Sequence, residues 1–132
     1  MEIKKLSPAF VDERGSIWDF LTDDTIHHCG YLISKKNSIR GKHFHKEQKQ
    51  YTLVLKGKMK IGIKDLTKSD TQLDFFELNE YEMILIPPFH YHSLEALEDT
   101  ECLIFTSKSR ANMGYEDDTF RVENIESFSL QQ

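Results

Sequence analysis

Four of the six histidines in this 132-residue chain fall in two His-x-His pairs, His43-Phe44-His45 and His90-Tyr91-His92. On an extended strand residues i and i+2 share a face, so each pair projects two imidazoles in one direction. Imidazoles gathered inside a fold do one of two things. They ligate a divalent metal, or they carry protons, because their ordinary pKa lies near neutrality. A single pair is most simply a hydrogen-bonded feature of a core. Two pairs, each flanked by strand-like sequence and turn residues, point to a site. His27 and His28 are adjacent, so a strand aims them apart, and they read as incidental.

The elements that must position these groups are strands. Apolar residues recur at period two in short runs broken by turn residues. The candidate strands are Ser16–Leu21, His28–Ser34, Arg40–His45, Gln50–Leu55, Lys58–Lys64, Gln72–Leu78, Glu82–Ile86, Tyr91–Leu97, Glu101–Ser107 and Thr119–Val122. In Lys58–Lys64 the alternation turns Met59, Ile61 and Ile63 inward and the lysines Lys58, Lys60 and Lys64 out to a solvated face. Lys56-Gly57 reads as a hairpin turn with Gly57 free to take positive φ. Pro87-Pro88 closes the strand before it, since proline has no ladder donor. No stretch carries a capped helical period, a repeat or a linker. Many short strands at regular spacing predict an all-β sandwich or barrel with very little helix, and a barrel offers a mouth for a ligand.

Length suits one domain spanning 1–132. The net charge of −5 argues against nucleic acid and against an anionic membrane, both of which need a basic field. An anionic small ligand needs only local positive charge, for which Arg14, Arg40, Arg110 and Arg121 are the natural suppliers. Cys29 and Cys102 each lie in an apolar run and read as two buried free thiols. With no signal peptide opening the sequence and no apolar run of transmembrane length, a cytoplasmic protein is expected.

The spacing of the histidine segments is similar to the two motifs of the cupins. From His43 the chain runs His-x-His, four residues, Gln50, six residues and Gly57; the second segment is Pro87-Pro88-Phe89-His90-Tyr91-His92. His43, His45 and His92 fall on the three histidine positions of those motifs. Gln50 stands where the family usually has glutamate and Phe89 where it often has glycine, while His90 matches no ligand position and reads as a rim residue. The segments DERGSIWDF, IRGKHFHK, LVLKGKMKIGIKD, IPPFHYH and GYEDDTFRV, in this order, further resemble the cupins that act on nucleotide-activated sugars. These are the dTDP-4-dehydrorhamnose 3,5-epimerase-like proteins and the dTDP-4-keto-6-deoxyhexose 3,4-ketoisomerases.

That resemblance implies a cupin jelly-roll β-barrel and a role in carbohydrate and polysaccharide biosynthesis. It implies an isomerase or epimerase acting on a dTDP-linked 4-keto-6-deoxy sugar. His43 and His45 would transfer protons, Arg40 would hold the ligand, and His92 and Gln50 would line the same cavity. It also implies no cofactor and a homodimer that pairs edge strands or closes off the cavity mouth. Gln50 bears independently on the metal question, because three neutral imidazoles and an amide lack the carboxylate that offsets a divalent charge. A tyrosine often supplies the partner acid in such sites, but none of the five stands out. Tyr31 and Tyr91, near the motifs, are explained by packing. Two alternatives stand beside this reading: a metal-dependent, oxygenase-like cupin using His43, His45, Gln50 and His92, and a sugar-binding cupin without catalysis.

Overall fold

The computed structural model describes residues 1–130. Twelve strands form: β1 (Ile3–Lys5), β2 (Phe10–Asp12), β3 (Gly15–Ile17), β4 (His28–Ser34), β5 (Ile39–Phe44), β6 (Gln50–Lys56), β7 (Met59–Asp65), β8 (Asp74–Leu78), β9 (Glu82–Ile86), β10 (His90–Ala96), β11 (Thr100–Thr106) and β12 (Phe120–Arg121). One antiparallel sheet runs in the order β1-β9-β6-β11-β4 and the other β12-β5-β10-β7-β8, with β2-β3 as a separate hairpin. This is the expected all-β jelly roll. Among the described residues helix is confined to the one-turn α1 (Gly114–Asp117), which follows a 3-10 turn at Ala111–Met113, and to a second such turn at Ile125–Ser127. Among the described residues no helix is long and apolar enough to cross a membrane.

Alternation decides what each strand buries. On β7 Met59, Ile61 and Ile63 are buried as predicted, and Lys58, Lys60 and Lys64 lie half-exposed outside them. Val54, Leu78, Ile84, Ile86, Leu94, Ala96 and Cys102 join them between the sheets. Each Val, Leu, Ile or Met side chain among them contributes about 1.5–3 kcal/mol on burial. The inner face changes character along the strands. On β6 it runs from Gln50 and Thr52 to Val54, and on β10 from His92 to Leu94 and Ala96, all buried. One end of the interior is therefore apolar core, and the other is lined with polar side chains.

Gly57 takes φ +90 between β6 and β7, and a Cβ there would lie 2.4 Å from the Asp99 carbonyl oxygen, so only glycine makes this turn. Strand β9 ends at Ile86, before the two prolines. The predicted strand Ser16–Leu21 is corrected: β3 stops at Ile17, and Trp18, Phe20 and Leu21 instead pack on the outer face of the first sheet, over Leu53 and Met83. Trp18 stacks on Tyr81 with ring centroids 4.2 Å apart. The short β1 and β2 had no pattern long enough to read.

Both cysteines are free, but only Cys102 is buried; Cys29 is exposed. Strand β4 is the outermost strand of its sheet, and its alternation turns Cys29, Tyr31 and Ile33 outward. Burial pushes the Cys102 thiol up to about 12, which leaves it unreactive.

Candidate functional site

His43 and His92 face each other across the β5–β10 pairing, and His45 lies one residue beyond the end of β5. Their ring centroids are 4.7 Å apart for His43 and His92, 4.8 Å for His43 and His45, and 5.4 Å for His45 and His92. All three are buried. The convergence expected from the two pairs is thus met. His90 points along the same face as His92 but sits one step nearer the rim, where Nε2 lies 3.7 Å from Asp65 Oδ1.

A β-bulge brings Arg40 into the same space. Residues 40 and 43 would face opposite ways on a regular strand. Here Ser93 pairs with Gly41 and His92 with His43, so Lys42 is the extra residue, and Gly41 and Lys42 adopt φ +86 and +57. The inserted residue restores the phase, and Arg40 and His43 both turn inward. A Cβ at Gly41 would lie 2.9 Å from the His92 carbonyl oxygen. The Arg-Gly-x-His segment is therefore a local device for aiming a guanidinium and an imidazole at one cavity. Phe89, at the frequent glycine position, adopts φ +59, and its N–H donates to the His45 carbonyl oxygen at 2.7 Å.

The cavity encloses about 300 Å³ and is lined by Leu32, Arg40, Gly41, His43, Gln50, His92, Leu94, Ile104, Arg110, Tyr115 and Arg121. Three of the chain's four arginines line it, and among the described residues no carboxylate does. Arg40 is braced by bonds from Nε to Ser34 Oγ and from Nη2 to the Ile33 carbonyl, both 3.0 Å. Gln50 donates from Nε2 to Thr52 Oγ1 at 3.2 Å. A larger opening of about 500 Å³ lies between Met1, Asp65, Asp74 and His90, but it lacks the clustered imidazoles and guanidinia.

Arg110 and Arg121 are two of the four arginines expected to supply positive charge, though neither was given a place in the site, and Tyr115 was not singled out, lying with Arg110 in a segment without strand or helix period. Tyr115 is the tyrosine of the cavity wall: its ring lies 5.7 Å from that of His45 and 6.3 Å from that of His43, with the Arg110 guanidinium 4.0 Å above it. Tyr31 is exposed on the outer face, and Tyr91 is buried in a separate cluster with Phe44 and Val122. His28 lies on the inner side of β4, its ring against Gly30, which was not foreseen.

Burial drives the His43 pKa down to about 4, helped by neighbouring His45, Arg121 and Arg110. Burial also lowers His45, against the opposing effect of a hydrogen bond and charge from Asp118, and holds His92 well below the ordinary value. All three are therefore neutral near pH 7. A carbonyl can only accept, so His45 Nδ1 must donate to the Asp118 oxygen at 2.8 Å and His92 Nδ1 to the His90 oxygen at 3.1 Å. The Nε2 atoms of both are then bare lone pairs, and both are buried without a partner. Such nitrogens suit proton abstraction. They also suit a metal, since the three imidazoles offer ligand atoms within 4.8 Å of one another.

A family model described as the polysaccharide biosynthesis C-terminal domain matches residues 10–120. A dTDP-4-dehydrorhamnose 3,5-epimerase from Sulfolobus tokodaii superposes with a TM-score of 0.69 at 25% identity, over 83% of this chain and 70% of that one. The sugar 3,4-ketoisomerase QdtA from Thermoanaerobacterium thermosaccharolyticum, solved with TDP, superposes with a TM-score of 0.72 at 21% identity, over 92% and 88%. The capsular polysaccharide assembling protein CapF from Staphylococcus aureus gives 0.64 at 24% identity, over 92% of this chain but 33% of its own length. No curated protein matches the sequence. The likeness to sugar-nucleotide cupins carried by the motifs is met by these similarities.

Proposed function

The chain belongs to the family of polysaccharide biosynthesis C-terminal domains, and from that premise we propose that it is an isomerase or epimerase of a dTDP-linked 4-keto-6-deoxy sugar. The observation that carries this reading is the polarity of the cavity. Guanidinia of Arg40, Arg110 and Arg121 and neutral imidazoles share one space without a carboxylate among the described lining residues, in a chain of net charge −5. Arginine forks match the oxygens of a diphosphate, which leaves the sugar for the imidazoles. Structures similar to this one include an epimerase and a ketoisomerase of such sugars.

The chemistry follows from the carbonyl. A 4-keto group acidifies the C–H bonds beside it, and a bare imidazole nitrogen of His43 or His45 takes that proton, leaving an enolate. Return of a proton to the opposite face of the same carbon inverts the centre. If the proton goes instead to C4 while the C3 hydroxyl passes its own proton to the C4 oxygen, the carbonyl moves to C3 and C4 becomes the alcohol. In this reading Tyr115, on the same cavity wall, supplies the proton or holds the oxyanion. Burial is the main cause of the low His43 pKa, but a bound diphosphate would offset the smaller contributions of Arg121 and Arg110 and so make that base somewhat stronger. Residues 1–132 act in this reading as one cytoplasmic cupin unit.

A second reading has its own support in the unpartnered Nε2 atoms of His45 and His92. With His43 they fit a three-histidine metal centre, to which Gln50 could add a carbonyl oxygen; a bound divalent ion would polarise a ligand oxygen. Activity after exhaustive chelation separates the two. Full turnover by metal-stripped protein supports proton transfer by the side chains alone. Loss that added divalent metal restores overturns it in favour of the metal centre.

A further inference from the structure

Asp118 is the one buried carboxylate among the described residues; Lys108 feels its charge from a distance but forms its ion pair with Glu47, and no cation lies at contact distance from Asp118 among the described residues. Its partners are three successive backbone N–H groups: Lys46 donates to Oδ1 at 2.9 Å, Gln48 to Oδ2 at 2.9 Å, and Glu47 to both oxygens at 3.2 Å. Consecutive N–H groups converging on one anion form a nest, which compensates a buried carboxylate without a counter-ion. The loop so held begins immediately after His45. The main-chain carbonyl of the same aspartate accepts the His45 Nδ1–H at 2.8 Å. One residue thus grips His45 twice, through the loop that leaves it and through its ring.

We propose that Asp118 is a positioning residue that fixes His45 as its Nδ1–H tautomer, so that Nε2 is the nitrogen presented to the reacting group. The carbonyl alone would not do this, because a mobile 114–118 segment would let the ring turn or exchange its proton. The carboxylate nest makes the carbonyl a fixed acceptor, as the outer partner of a working histidine commonly does. His92 obtains the same tautomer from a different source, the His90 carbonyl two residues away on its own strand. The two rings therefore form an internal comparison: one tautomer depends on Asp118 and the other does not. The role rests on the reading of His45 as a proton-transferring group, but the tautomer can be read without turnover.

Long-range proton–nitrogen correlation spectra of uniformly 15N-labelled protein report the tautomer of each imidazole, with His45 assigned by its loss in His45→Asn. The wild type should show Nδ1–H at both His45 and His92. In Asp118→Ala, His45 should pass to a mixture or to Nε2–H while His92 stays as it was. Asp118→Asn, which keeps one acceptor oxygen, should show a smaller change in the same direction. In turnover, both variants should lower kcat by ten- to a hundredfold with KM changed less than threefold. Nε2–H at His45 in the wild type overturns the proposal directly, whether or not either variant folds. So does an unchanged His45 tautomer in a folded variant, or a rise in KM with kcat intact. A wild type with the expected tautomers and no turnover would count against the enzymatic reading and not against this one.

Discussion

Three buried imidazoles sharing one space behave differently from histidines in water. Burial moves His43 from the ordinary 6.5 to about 4, so the folded protein holds it neutral while the unfolded chain protonates it. This contribution to stability is complete above about pH 6.5 and is lost progressively as pH falls through about 4. Chemical denaturation across that range should show the loss, and His43→Asn should flatten it. The window lies mainly above that of Asp12, Asp24 and Asp65, whose carboxyls are held below the ordinary 3.8 by their hydrogen-bond partners. In activity, His43→Asn or His45→Asn should cut kcat by roughly 10²–10⁴-fold, the usual contribution of a positioned acid or base. Nucleotide affinity should change far less, because the amide keeps a similar polar volume; an equal loss of binding would place these residues in the ligand grip instead.

The strands were legible because a period of two survives any tertiary context, as Met59, Ile61 and Ile63 illustrate. The bulge was not, since its signal is a lone Gly-Lys within a strand pattern and its effect is to change which face Arg40 occupies. Nor was the outward turn of Cys29, because an apolar run looks alike whether its strand is central or at the edge of a sheet. Tyr115 escaped for a different reason: α1 is one turn long, too short for any period, and its place over the cavity depends on β12 pairing with β5, the same pairing that turns the charge of Arg121 into part of the site. The bulge yields a direct prediction. Gly41→Val places a branched side chain at φ +86 and 2.9 Å from the His92 carbonyl oxygen. It should destabilise the fold by about 1–3 kcal/mol, read by urea unfolding. It should also weaken dTDP binding by calorimetry, because Arg40 and His43 can no longer share a face.

For the whole molecule, the apolar residues left outside are informative. Phe10, Val11 and Ile17 on the β2–β3 hairpin and Tyr31 and Ile33 on the outermost strand β4 are all more than half exposed. An edge strand and a hairpin of this composition need cover, and a second copy of the chain supplies it most simply. Light scattering at micromolar concentration should give twice the 15.5 kDa protomer mass; a monomer would contradict a dimer. The direct test of the account as a whole is incubation of the protein with dTDP-4-keto-6-deoxyglucose in deuterated water, with the sugar followed by NMR. The account predicts deuterium at C3 or C5 if a centre inverts, or at C4 if the carbonyl shifts, and none when His43→Asn or His45→Asn replaces the wild type. A sugar recovered unchanged and free of deuterium, from protein shown to bind the nucleotide, would contradict it and leave a binding cupin without catalysis.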